Sequence, residues 1–197
     1  MSLIIQDKYV IHHIPKTAGN SVRELLTRNF IPFEMVAGVT SADEPYINAL
    51  SMSKELLHLP QRGSWRALMF MREPLPWYRS YFGFRIEARK PFWGWNDRRE
   101  FDLLCRADTF SQFLCNVKAH YPDGFVRHLY AEYARYSTDI YRVESLFPAL
   151  REFLCACIEV RIRDNSYIAN ATAELADVTD ADRALVRELE GSERYEI

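Results

Sequence analysis

The segment Tyr9-Val10-Ile11-His12-His13-Ile14-Pro15 constrains this chain more than any other. A run of β-branched and apolar residues ends on a proline that cannot extend a ladder, so a strand stops there. After a loop over residues 16–20, residues 21–29 carry Val22, Leu25 and Leu26 at helical spacing. The apolar period has changed from about 2 to about 3.6 residues within one short loop. The same change recurs downstream. Residues 65–71 read as a second strand, ended by Arg72-Glu73-Pro74, with a helix following through about Arg89 and Pro74 or Pro76 in its first turn. Helices are expected from about Asp97 to Tyr136, with Thr109 and Gln112 spaced as a capping box. Residues 139–143 are a third strand, and Glu144-Ser145 opens a helix with Leu146, Leu150, Phe153 and Leu154 on one side. Residues 157–162 are expected as a fourth strand, and residues 179–190 as a closing helix with Leu185, Val186 and Leu189 inward.

Strands alternating with helices predict a three-layer α/β/α domain with a mainly parallel sheet of about four to five strands. At 197 residues the chain suits one domain, 1–197, carrying a helical insertion at about 90–136. In such sheets ligands bind beyond the carboxyl ends of the strands. That rule directs attention to residues 15–21, to residues 72–80 and to Glu144.

The net charge of −2 argues against coating a polyanion, so no nucleic-acid partner is expected. A local cationic pocket remains open. Of the 25 basic residues 20 are Arg and 5 are Lys, which suits planar oxyanions but equally suits a GC-rich genome. Cys105, Cys115, Cys155 and Cys157 show no metal-ligand spacing and read as reduced thiols. No stretch approaches bilayer-spanning length, and no signal peptide is visible. The core begins by Lys8, leaving no room for an anchor and stem, so a cytoplasmic protein without a transmembrane segment is expected.

Between the first strand and its helix stands Ile14-Pro15-Lys16-Thr17-Ala18-Gly19-Asn20-Ser21. Small residues let backbone N–H groups approach a phosphate, and the helix start adds partial positive charge. Lys16, Thr17 and Ser21 could each add a charge-assisted hydrogen bond of roughly 1.5–3 kcal/mol. The same residues also make an ordinary strand-to-helix turn, with Gly19 for shape and Ser21 as a cap. The order differs from the common phosphate loop, because Lys16 precedes Gly19. It resembles instead the 5′-phosphosulfate loop of sulfotransferases that use 3′-phosphoadenosine 5′-phosphosulfate (PAPS), whose carbohydrate-type members carry a PKTAGTS-like form. Asn20 stands where threonine is common.

That resemblance predicts a second strand ending in Arg, then Pro, with Ser eight positions after the Arg. Arg72, Pro74 and Ser80 have this order, beside Trp77, Tyr78, Tyr81 and Phe82. Arginine at a strand end and serine two turns into the next helix can converge on one anion. The family uses them on the 3′-phosphate. Residues 141–146 and Asp164-Asn165-Ser166 are similar to later family segments, and Arg161 and Arg163 are candidates for a further phosphate contact.

The resemblance implies a P-loop NTPase-like sulfotransferase fold. It also implies transfer of a sulfuryl group from PAPS to a hydroxyl or amine of a carbohydrate, lipid or small molecule, without metal. Donor-binding residues would be Lys16, Thr17, Ala18, Gly19, Asn20, Ser21, Arg72 and Ser80. Lys16 would stabilise the leaving phosphate. His58, in Leu57-His58-Leu59-Pro60, matches the family's THLP piece and would be the base; His12, His13 and Glu24 are lesser candidates. Residues 91–95 would form an acceptor lid or an aromatic knot, with Arg85, Arg89, Arg98 and Arg99 beside it. A non-catalytic nucleotide-binding domain is the alternative. A nucleotide-type kinase would need a lysine after the loop glycine and a magnesium-binding aspartate, and neither is evident.

Overall fold

The structure, a computed structural model, describes residues 2–6, 8–36, 43–50, 65–87, 94–158 and 176–191. Its centre is a five-stranded mixed sheet in the order β3-β1-β2-β4-β5. The strands are β1 (Ser2–Ile5), β2 (Tyr9–His12), β3 (Glu34–Val36), β4 (Arg66–Met71) and β5 (Asp139–Arg142). β2, β4 and β5 are parallel neighbours, with Ile11 opposite Leu68 and Phe70 opposite Tyr141. β1 pairs antiparallel with both β2 and β3.

The expectation of a mainly parallel sheet is therefore modified at one edge. Leu3-Ile4-Ile5 is a strand in its own right, turned back onto β2 with Gln6 at φ 50 and the Lys8 N–H on the Ile5 carbonyl at 3.3 Å. A second correction concerns Cys157. It closes α7 (Leu146–Cys157) rather than opening a strand, because the helical stripe Leu146, Ala149, Leu150, Phe153, Leu154 runs straight through it. The remainder of that expected strand lies outside the described residues.

Helices cover both faces of the sheet. On one face Leu3, Ile5, Ile11, Leu68 and Phe70 pack with Val22, Leu25 and Leu26 of α1 (Gly19–Arg28) and with the stripe of α7. On the other, Met69 joins a core built from α2 (Pro45–Leu50), α3 (Pro74–Ile86), α4 (Glu100–Cys105), α5 (Phe110–His120), α6 (Phe125–Ala134) and α8 (Asp180–Glu190). The alternation of inward positions along each strand produces this two-sided burial. α3 is buried on most sides: Trp77 stacks on Tyr81 at 5.0 Å, and Phe101, Phe113 and Phe125 surround them.

The helix ends are secured as their residue types dictate. Thr109 accepts from the Gln112 N–H at 3.3 Å. Thr179 and Asp182 form a reciprocal capping box at the start of α8. At its far end, buried Glu190 crosses to α6 and accepts from the Val126 and Arg127 N–H groups at 3.1 and 2.9 Å. Gly124, at φ 89, makes room for that approach, since a Cβ there would meet the Leu189 carbonyl at 2.6 Å.

Candidate functional site

The loop after β2 is tightly wound. The Ile14 carbonyl accepts both the Thr17 N–H, at 3.4 Å, and the Thr17 hydroxyl, at 3.0 Å. Lys16 and Ala18 sit at φ 67 and 64, a left-handed conformation that costs a non-glycine residue about 1–3 kcal/mol. Ala18 then accepts from the Ser21 and Val22 N–H groups at 2.8 and 3.1 Å and so starts α1. Gly19 is required by crowding rather than by φ: a Cβ there would lie 2.1 Å from the His13 ring. The Gly19 and Asn20 amides open the helix and have no carbonyl a turn earlier to bind. The Pro15 and Lys16 carbonyls instead receive Trp77 Nε1 at 2.8 Å and Arg72 Nη1 at 3.2 Å.

These last two bonds join the two motifs singled out in the sequence. Lys16 and Arg72 stand beyond the carboxyl ends of β2 and β4, which are parallel neighbours. Tyr130 holds Arg72 from α6, accepting its N–H at 2.9 Å and donating to its carbonyl at 3.0 Å. Glu73 next to it takes Arg142 from the end of β5 at 3.0 Å. Ser80 is buried two turns into α3, and no hydrogen bond joins it to Arg72 among the described residues.

Positive charge is concentrated here. Burial first, and then the Arg72 and Arg85 guanidiniums, against the opposing pull of Glu87, together lower the Lys16 ammonium to about 8. Burial also lowers Arg72, opposed by Tyr130 and Glu144. Lys16 Nζ lies 4.6 Å from the Phe84 ring, and the Arg85 guanidinium 4.7 Å from the same ring. Arg85 is held rigidly: Asp102 pairs with it at 2.8 Å, its Nη2 donates to the Tyr81 hydroxyl at 2.9 Å, and its Nη1 donates to the Gly94 carbonyl at 3.0 Å. Half-buried Lys16 and Arg72 beside open helix amides are groups of the kind that can bind an oxyanion, whereas buried Arg85 is already paired with Asp102.

The other sequence candidates separate clearly. Thr17 keeps its hydroxyl proton on Ile14 rather than presenting it outward. Ser21 is buried at the third helical position, so it is not the cap. His12 is packed, with Ser2 Oγ 3.2 Å from Nδ1 and the Tyr136 carbonyl accepting from Nε2 at 3.3 Å. Glu24 pairs with Arg28 on the outer surface of α1 at 2.7 Å. Trp95 packs on Phe82 and Phe113, which favours the aromatic-knot alternative for that end of its segment. His58, Arg89, residues 91–93, Arg161, Arg163 and residues 164–166 lie outside the described residues.

Sequence reasoning missed Tyr130, Phe84 and Glu87. Tyr130 is 58 positions from Arg72 and has no local signal, whereas Phe84 and Glu87 follow Ser80 on the same helix and could have been read from helical spacing. Among the described residues, no group of three or more His, Cys, Asp or Glu side chains is arranged to hold a metal, and no helix is long and apolar enough to cross a membrane. Comparison with family models, with curated proteins and with solved structures returns no match to this chain.

Proposed function

We propose that this chain is a PAPS-dependent sulfotransferase on a P-loop-like α/β core, moving a sulfuryl group to a hydroxyl or amine acceptor. The observation that supports the reading best is the Arg72 hydrogen bond to the Lys16 carbonyl, which brings two motifs 56 positions apart into contact. The reading needs parallel central strands with binding loops at their carboxyl ends, and β2, β4 and β5 supply that arrangement. Antiparallel β1 and β3 extend the other edge. In the proposal the Gly19 and Asn20 amides, Ser21 and Lys16 receive the 5′-phosphate, with Thr17 and Ala18 shaping the loop. Lys16 neutralises the charge that grows on the leaving oxygen. Arg72 and Ser80 take the 3′-phosphate, and the resemblance assigns His58 as base.

The fit is electrostatic. A lysine lowered to about 8 by burial and two like charges is relieved when a doubly charged phosphosulfate group arrives. Cys105 and Cys115 are thiols outside any disulfide, which supports a cytoplasmic location.

The test is nucleotide binding followed by transfer. We expect 3′-phosphoadenosine 5′-phosphate to raise the melting temperature, and Arg72→Ala to abolish the shift. No shift at millimolar nucleotide overturns the proposal. Binding without transfer of radiolabelled sulfate to any acceptor in a phenol, sugar and amine panel leaves a non-catalytic nucleotide-binding domain instead.

A further inference from the structure

We infer that Glu87, in place of the His58 that the resemblance offers, is the proton acceptor for the incoming hydroxyl or amine, an assignment that rests on the donor-binding part of the sulfotransferase reading above. The reacting sulfur hangs from the 5′-phosphate, so the group that takes the acceptor's proton must stand on the Lys16 side of the site. The carboxylates around the cations are otherwise committed. Asp102 is buried and takes Arg85, the Tyr81 hydroxyl at 2.7 Å and the Asn96 N–H at 3.1 Å. Glu73 takes Arg142. Glu144 acts on Arg72, the side assigned to the 3′-phosphate. Glu24 is paired on the outer face of α1.

Glu87 differs from all of these. It ends α3, its N–H on the Gly83 carbonyl at 3.1 Å, three residues beyond the Phe84 ring that lies 4.6 Å from the Lys16 ammonium. Residues three apart leave a helix on one side, so Glu87 stands where Phe84 directs Lys16. Its charge is felt at Lys16, yet the two make no ion pair within 4 Å. Its Oε2 is buried with no hydrogen-bond partner, a costly state for a carboxylate oxygen unless a ligand supplies the donor. An acceptor O–H or N–H is that donor. Arg85, locked by Asp102, Tyr81 and Gly94, fixes the last turn that carries Glu87.

The step balances. The acceptor's O–H or N–H proton passes to the Glu87 carboxylate as that oxygen or nitrogen forms its bond to sulfur. The bond between sulfur and the 5′-phosphate oxygen breaks, and its electron pair stays on the phosphate beside Lys16. Nothing is oxidised or reduced.

The experiment measures release of labelled sulfate from PAPS to water, 2-naphthol and glucosamine, alongside the thermal shift by 3′-phosphoadenosine 5′-phosphate. It compares wild type, Glu87→Gln and His58→Ala. We expect Glu87→Gln to keep the nucleotide shift and lose about 100-fold or more in turnover. Turnover within about threefold of wild type overturns the assignment, as does loss of the shift together with turnover, which would make Glu87 a counter-charge for Lys16. Loss in His58→Ala with full turnover in Glu87→Gln gives the role to His58. If wild type binds nucleotide and releases no sulfate with any probe, the sulfotransferase reading itself falls, which none of the Glu87 outcomes would imply.

Discussion

Glu190 and Lys16 are both charged side chains drawn away from water, and the fold treats them in opposite ways. Glu190 accepts from two helix-start amides of α6 and from the Tyr78 hydroxyl. Glu132 does the same for α2, taking the Tyr46 and Ile47 amides at 3.1 and 2.8 Å. Lys16 makes no ion pair among the described residues; it meets an aromatic ring and the repulsion of two guanidiniums, which the more distant charge of Glu87 only partly offsets. A buried charge with its partners in place is a fastening between elements. A charge held against like charges carries a cost that an incoming counter-charge relieves. The helical layer is therefore fastened closed, whereas the carboxyl end of the sheet, on the proposed reading, is built to receive an anion.

The strongest way to break this contrast is Glu190→Ala. It strands two buried donors and a part-buried one at about 1 kcal/mol each, so denaturant unfolding should show a loss of roughly 3 kcal/mol. A loss below about 1 kcal/mol would mean that Glu190 is no fastening. Next comes Lys16→Met. The free protein should be unchanged or more stable, while affinity for 3′-phosphoadenosine 5′-phosphate falls about 10- to 150-fold, one charge-assisted bond's worth, by calorimetry. Destabilisation with intact affinity would reverse the assigned roles.

The smallest effect is graded by pH. Lys16 must be protonated to hold an anion and is lowered to about 8 in the free protein. Nucleotide affinity should be flat below pH 8 on this account and weaken by up to about tenfold per unit above it, with proton uptake on binding. Between about 8 and its ordinary value of 10.5 the unfolded chain binds more protons at this lysine than the folded one. Its contribution to stability therefore rises with pH across that window, a slope that Lys16→Met should lack. Equal slopes in wild type and variant would place the Lys16 value elsewhere.

The strand-loop-helix at Tyr9–Arg28, the Arg72–Ser80 segment and the stripes of α7 and α8 were all legible, because each is a local period or a short spacing. β1 was passed over since three apolar residues before Gln6 give too short a run, and its identity depends on pairing back onto β2. Cys157 is ambiguous in the sequence because a short apolar run reads equally as strand or helix until the preceding stripe is followed through. Ser21 was available as a cap by residue type, yet the left-handed turn at Ala18 starts the helix earlier.

The sequence by itself determined that a strand must end before Lys16, that a second must end at Arg72, and that helices follow both. Side-chain branching, proline and helical spacing act over a few residues and need no distant partner. Only the tertiary structure decided that the two strands are parallel neighbours, that Arg72 reaches the Lys16 carbonyl, and that Tyr130 clamps Arg72 from α6. It also decided that Phe84 meets the lysine and that the charge of Glu87 acts on it. Electrostatic character depends on burial and on charges brought together across the chain, so the lowered lysine could come only from the packed fold.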